Sequence, residues 1–271
     1  MVSEDLVKRS RDGSVVTLTL NDPARRNAMT ESMGEAFRDR IEALRDDETV
    51  RAVVLTGAGR AFSAGGDLDM IDARARAAAA DRDGSGRAAV RDQMRSFYDL
   101  FLSLRELPCP SLAAVNGHAV GAGMCLALAC DLRIVAREAK FALNFARLGL
   151  HPGMGATWTL PRLVGPALAA ELLYTGEPVD GERAERIGLA NRAVPQPEVL
   201  ATARALAEAI ARAAPGAIRG VKRALRRTED SSLEAQLDFE AARQSEDFGT
   251  ADAREGIAAA REGRAPRFGG A

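Results

Sequence analysis

The feature that most constrains this chain is a pair of short, uninterrupted apolar runs, each followed by a glycine-rich loop and then a helix. Ala52 to Thr56 (AVVLT) reads as a strand buried on both faces. It runs into a glycine-rich stretch from Gly57 to Gly66, and a helix begins near Asp67. Ser111 to Val115 opens a second such unit, which continues through a glycine loop into an apolar helix from Gly121 to Cys130. The two units, Ala52–Asp67 and Ala113–Cys130, place backbone N–H groups just beyond the carboxyl ends of strands, where α/β proteins bind ligands. Taken singly, either loop reads equally well as a turn that packs a strand on a helix. Neither has the spacing of a dinucleotide fingerprint, and no Gly-Lys-Ser/Thr follows to make a phosphate-binding loop.

The remaining patterns fill out an α/β chain. Ser14 to Leu20 (SVVTLTL) alternates and is β-branched, as a strand requires, and Asn21-Asp22-Pro23 is a turn. Thr30 caps a helix that runs to about Arg45, with Met33, Phe37, Ile41 and Leu44 on one face. Residues 81–87 (DRDGSGR) read as a mobile surface loop and Ala88 to Glu106 as an amphipathic helix that Pro108 and Pro110 end. Leu132 to Ala136 is a further strand. Gly153 to Leu163 is a glycine turn entering a short helix that Pro161 limits. After Pro195 the pattern is helical to about Arg261, and Gly263 to Ala271 is a tail. Alternating strands and helices followed by a helical run imply parallel pairing and a helical C-terminal portion.

Composition narrows the function class. Among 271 residues, 46% are hydrophobic, enough for a sizeable core, and the net charge of -1 argues against a nucleic-acid or membrane-surface partner. The longest apolar run, Ala119 to Cys130, has 12 residues, short of the ~20 that span a bilayer. Three cysteines, Cys109, Cys125 and Cys130, are an odd number without metal-ligand spacing. Met1 to Arg11 lacks a signal-peptide pattern, so a reducing cytoplasm is the expected compartment.

Together, Thr56-Gly-Ala-Gly-Arg-Ala-Phe-Ser-Ala-Gly-Gly-Asp67-Leu and Ala114-Val-Asn-Gly-His-Ala-Val-Gly-Ala-Gly-Met124 resemble the two signature loops of the enoyl-CoA hydratase/isomerase, or crotonase, superfamily. Pro23-Ala-Arg-Arg-Asn27-Ala-Met resembles the family's early CoA-contacting segment. Leu148-Gly-Leu-His-Pro-Gly153, Leu160-Pro-Arg-Leu-Val-Gly165, Tyr174-Thr-Gly176, Ala253-Arg-Glu-Gly256 and Arg264-Ala-Pro-Arg-Phe268 extend the likeness over nearly the whole chain. The resemblance implies a ClpP/crotonase-like α/β spiral of ββα units over residues 1–195. It also implies a C-terminal helical trimerisation region over residues 196–271, in a homotrimer or dimer of trimers. It implies an acyl-CoA substrate, with coenzyme A present only as part of the thioester and neither a separate cofactor nor a metal.

By motif position, the thioester oxygen lies between the N–H groups of Ala64 and Ala122. Deprotonation beside a thioester, or addition to its conjugated alkene, puts negative charge on that oxygen, and losing one preorganised donor costs roughly 2.7–4 kcal/mol. Ala122 begins the apolar helix, so its N–H is one of the unpaired donors at a helix N-terminus. The likeness also carries Arg25, Arg26, Ala28, Gly65, Gly66, Asp67, Leu68 and Gly121 over as substrate or CoA contacts, with the arginines suited to phosphate. Arg25 and Arg26 read equally as solvated charges, and Asp67 equally as a helix cap.

The chain departs from the family where protons move. The two glutamates that usually flank a water fall on Cys125 and Phe145, and a third carboxylate used by some isomerase relatives falls near Gly153. A buried Cys125 has a raised pKa and is inert as a base, and Phe145 shapes the pocket. Of the remaining titratable residues, His151 borders the acyl pocket and is the candidate base. His118 packs near the second loop, Asp69 and Asp72 read as surface charge, and Asn144 either contacts an acyl group or holds its strand end. Ser63 lacks a nucleophile-elbow pattern. The basic face of Lys222, Arg223, Arg226 and Arg227 forms salt bridges or meets CoA phosphate. Phe141, Phe145, Met154 and Trp158 suggest an apolar acyl pocket. The resulting reading is a nominal enoyl-CoA hydratase lacking both usual glutamates. An isomerase or lyase with an unusual base and a non-catalytic acyl-CoA binder remain as alternatives.

Overall fold

The computed structural model describes residues 6–80, 84–228 and 230–270. A hairpin, β1 (Val7–Asp12) and β2 (Val15–Leu20), leads to α1 (Glu31–Arg45), which Thr30 caps through its hydroxyl and the Met33 N–H. Next come β3 (Ala52–Gly57), β4 (Ala61–Ser63), α2 (Leu68–Ala79), α3 (Ser85–Leu102), β5 (Ser111–Val115), β6 (His118–Val120) and α4 (Ala122–Ala129). They are followed by β7 (Leu132–Ala136), β8 (Lys140–Ala142), α5 (Ala156–Val164), α6 (Pro166–Thr175), β9 (Val179–Asp180), α7 (Gly181–Arg186) and β10 (Arg192–Val194). Four helices close the chain: α8 (Val199–Ala211), α9 (Pro215–Arg227), α10 (Leu233–Phe248) and α11 (Ala251–Glu262).

Two sheets form, in the strand orders β1-β2-β3-β5-β7-β10 and β4-β6-β8-β9. In the first, β2, β3, β5, β7 and β10 pair in parallel; in the second, β4, β6 and β8 do. Each of β3, β5 and β7 is thus followed within a few residues by a strand of the second sheet. That stepwise advance is the spiral of ββα units that the family resemblance implies. The all-buried runs of β3 and β5 are the interior of the first sheet, with α1 and α8 among the helices that cover it.

Several expectations change. β4 and β6 are three-residue strands inside segments that read as glycine loops, and β8 is equally short; none is long enough to carry a period-2 signal. Of the loop read over residues 81–87, residues 81–83 lie outside the described residues, and α3 already begins at Ser85. Pro161 lies inside α5 and does not end it; the helix runs on to Gly165, whose left-handed φ of 82° stops it. The helix α8 buries Val199, Ala203 and Ala207 against the first sheet, so it packs with the spiral and not apart from it. The C-terminal segment is anchored: Arg51 donates to the Phe268 carbonyl, and Asp252 accepts from Gly269 and Gly270. Among the described residues, no helix is long and apolar enough to cross a membrane.

Candidate functional site

The two glycine loops meet because three polar side chains tie them and the early segment together. Asn27 is fully buried in a left-handed conformation (φ 55°). Its amide donates to the carbonyls of Ala58, Ala61 and Phe62, while its Oδ1 accepts from the Asp22 N–H. Ser63 donates to the Asn27 carbonyl at 2.7 Å and accepts from the Gly65 N–H at 3.1 Å. Asn116 accepts from the Gly57 N–H and donates to the Gly59 carbonyl, which links the second loop to the first. Ser63 is therefore a fully buried clamp and not a nucleophile. Asn27 was quoted within a motif, but its anchoring role is not legible there; the only hint is the tolerance of asparagine for positive φ.

Gly65 brings the loops into contact. Its φ is 91°, and a Cβ there would sit 2.5 Å from the Val120 carbonyl oxygen and 3.4 Å from the Ala122 nitrogen. Only a glycine allows that approach. The hydrogen bonds around it decide which N–H groups face the cleft. Ala64 donates its N–H to the Arg26 carbonyl at 2.9 Å, and Gly65 donates to Ser63. Neither is available to a ligand, so Ala64 is corrected as a donor. Met29 pairs with the same loop through Met29 N–H to the Gly65 carbonyl and Asp67 N–H to the Met29 carbonyl. This leaves Gly66 between them as the loop N–H with no hydrogen bond among the described residues. Ala122 is the first residue of α4, and its N–H likewise makes none, since the first helical bond from this turn is Cys125 N–H to the Gly121 carbonyl.

These groups open onto a cleft of about 850 Å³. Arg25, Arg26, Ala28, Ala64 to Leu68, Gly121, Ala122, Phe145 and His151 all line it, so the candidate residues converge. Arg25 is half-exposed at the rim, ion-paired with Asp22 at 2.6 Å and with Asp67 at 3.6 Å. Asp67 caps α2 by accepting from the Met70 N–H at 3.1 Å. Met154 and Phe145 lie in the cleft; Phe141 is in the core, and Trp158 is elsewhere, stacked under Arg105 and Arg162. Asn144 and Asp69 border the cleft, whereas Asp72 pairs with Arg76 at 2.7 Å.

The acid/base candidates separate. Cys125 is buried outside the cleft lining; burial pushes its thiol up to about 12, and its Sγ lies 3.6 Å from the Gly153 carbonyl. His151 is exposed, with Nδ1 2.7 Å from the Pro152 carbonyl. His118 is exposed and away from the cleft: Nδ1 accepts from the Lys140 N–H at 2.9 Å and so holds β8. On the basic face, Lys222 is buried against Asp131 at 2.7 Å and donates to the Cys109 carbonyl. Burial depresses its pKa and Asp131 opposes that, so this lysine is a structural ion-pair member. Tyr98, half-buried on α3, was not singled out by any motif. Burial raises its phenol pKa, with Cys125 adding and Arg74 opposing.

Comparison with known proteins agrees in length and shape. The family model described as Enoyl-CoA hydratase/isomerase matches residues 10–271. A probable enoyl-CoA hydratase of Mycobacterium tuberculosis is 46% identical over 190 residues, 70% of each chain. The 1,2-epoxyphenylacetyl-CoA isomerase of Escherichia coli is 37% identical and covers 94% of this chain and 95% of its own. Among solved structures, an enoyl-CoA hydratase from Polaromonas superposes with a TM-score of 0.89 at 32% identity, covering 97% of this chain and 99% of the other.

Proposed function

The chain belongs to the enoyl-CoA hydratase/isomerase family, and on that premise we propose that its cleft binds an acyl-CoA thioester and stabilises the enolate form at the N–H groups of Gly66 and Ala122. The observation that carries this reading is the pair of backbone donors without partners among the described residues, on two loops pressed together by Gly65. An anionic oxygen at that point completes both donors, and the α4 dipole adds to the attraction. The carbonyl carbon then sits at the loops, and the acyl chain runs on past Phe145 and Met154. Arg25 and Arg26 line the same cleft beside the first loop, Arg25 half-exposed and paired with Asp67, where phosphate charge suits them.

The test does not depend on knowing the acyl group. The infrared carbonyl stretch of isotope-labelled butyryl-CoA falls in frequency on binding, and the fall diminishes in Ala122→Pro, a substitution that a first helical turn tolerates because proline fits there without an N–H. A bound thioester whose carbonyl stretch does not move would overturn the enolate-binding reading.

A second reading has its own observation. Cys125 and Phe145 stand where the resemblance puts carboxylates, and a thiol pushed up to about 12 cannot serve as a base. A chain that binds thioesters without turning them over would carry such residues. A panel of acyl-CoA thioesters assayed for product separates the two readings. The helical segment also leaves Leu225, Leu233, Leu237 and Phe248 exposed, an apolar face of the kind that self-association covers. The resemblance makes that assembly a homotrimer or dimer of trimers, and any mass by sedimentation equilibrium other than three or six chains would refute it.

A further inference from the structure

Gly153 poses a physical question that its backbone does not answer. Its φ lies outside the left-handed region, so the chain path there admits a side chain. What excludes one is Tyr98: a Cβ on Gly153 would sit 2.4 Å from the Tyr98 hydroxyl oxygen and 2.9 Å from Cζ. The phenol oxygen therefore fills the volume in which a side chain at residue 153 would begin, near the position of the third carboxylate in the resemblance. Cys125 touches the same glycine, with Sγ 3.6 Å from its carbonyl. The Tyr98 ring lines the cleft with Met154 and Phe145, and its hydroxyl makes no hydrogen bond to any described residue. A half-buried tyrosine hydroxyl normally finds a partner; here the open direction is the cleft.

We propose that Tyr98 is the proton-handling residue of this site and that it acts on an oxygen at C3 of the acyl chain. The proposal rests on the thioester-binding reading above. In the dehydrating direction the phenol passes its proton to the C3 hydroxyl as its oxygen takes the C2 proton. In the same event the C2–H pair, whose enolate-like charge is held at Gly66 and Ala122, becomes the C2–C3 double bond, the C3–O bond breaks and water leaves. The sum is 3-hydroxyacyl thioester to 2-enoyl thioester plus water, with Tyr98 restored; hydration is the reverse. Burial keeps the phenol protonated through neutral pH, the form that donates.

Tyr98→Phe keeps the ring and removes the proton. Paired 3-hydroxyacyl-CoA and saturated acyl-CoA ligands of matched chain length are titrated calorimetrically into wild type, Tyr98→Phe and Gly153→Ala, which displaces the phenol. Wild type is expected to prefer the hydroxylated ligand by roughly tenfold, the value of one hydrogen bond. Both variants lose that preference while holding saturated acyl-CoA as wild type does, which also certifies their fold. Hydration of the matching enoyl-CoA, followed by loss of enoyl absorbance, falls by about 10²–10⁴-fold in kcat with KM little changed. Wild-type activity declines only as pH rises through the raised phenol pKa, and Tyr98→Phe lacks that alkaline limb. A preference retained in Tyr98→Phe or absent from wild type, or hydration unchanged by the substitution, would overturn the role of Tyr98. Failure of wild type to bind the saturated thioesters would instead overturn the thioester reading itself, and the role of Tyr98 with it.

Discussion

Two parts of one cleft differ in the material from which they are made. The corner proposed to hold the thioester oxygen is backbone: N–H groups of Gly66 and Ala122, with the buried side chains of Asn27 and Ser63 behind the first loop. The corner proposed to face the acyl carbons is lined by the side chains of Phe145 and Tyr98 beside Gly153, with Cys125 against that glycine. A backbone donor survives most substitutions at its own position, because every residue except proline supplies it. Alanine at residue 122 still supplies an N–H. A side-chain acid or base has no such tolerance. One substitution removes it, and its replacement can come from any element that reaches the same volume. The first corner thus tolerates sequence change that the second does not.

The sharpest way to break this contrast is to delete a backbone donor. Ala122→Pro should lower turnover on the preferred thioester by about 10²–10³-fold in steady-state kinetics. A loss as small as that of a conservative surface change would mean the backbone corner is not what the reaction uses. Next in size is the support behind it. Asn27→Ala leaves the Ala58, Ala61 and Phe62 carbonyls without their donor and relaxes a left-handed turn, and should cost about 2–3 kcal/mol in denaturant unfolding, with turnover reduced as the loop loosens. An unchanged midpoint would show that the loops hold themselves in place.

On the side-chain corner the expected effects shrink. Cys125→Ala should cost about 1 kcal/mol of stability from lost packing and leave turnover unaltered. Its thiol stays protonated until the pH approaches about 12, so alkylating reagents near neutral pH should leave Cys125 unlabelled in the folded chain, as mass spectrometry would show. Rapid labelling, or a large kinetic loss in the alanine variant, would return the thiol to the chemistry. The smallest effect belongs to His151. It is exposed, its ring nitrogen faces the adjacent Pro152 carbonyl, and His151→Ala should leave kcat within about twofold. A larger loss in kcat would place the base there and dissolve the contrast.

The sequence by itself determined the frame. Two buried apolar runs with glycine loops require parallel strands backed by helices, and the order of those units is linear information that a chain cannot hide. Helix caps such as Thr30 and Asp67 were readable for the same reason: the contact they make lies within three residues. What only the tertiary structure decided are matters of distance between parts remote in sequence. Ala64 and Gly66 are indistinguishable as donors along the chain. They differ because Arg26, 38 residues before Ala64, turns its carbonyl onto one N–H and leaves the other facing the cleft. Tyr98 lies 55 residues before Gly153, on a helix whose pattern speaks only of a core-facing stripe. Local spacing encodes that the two glycine loops approach a ligand, but not which N–H each presents. Which side chain shares their space is set by how α3 packs across the cleft, and no short-range pattern records that packing.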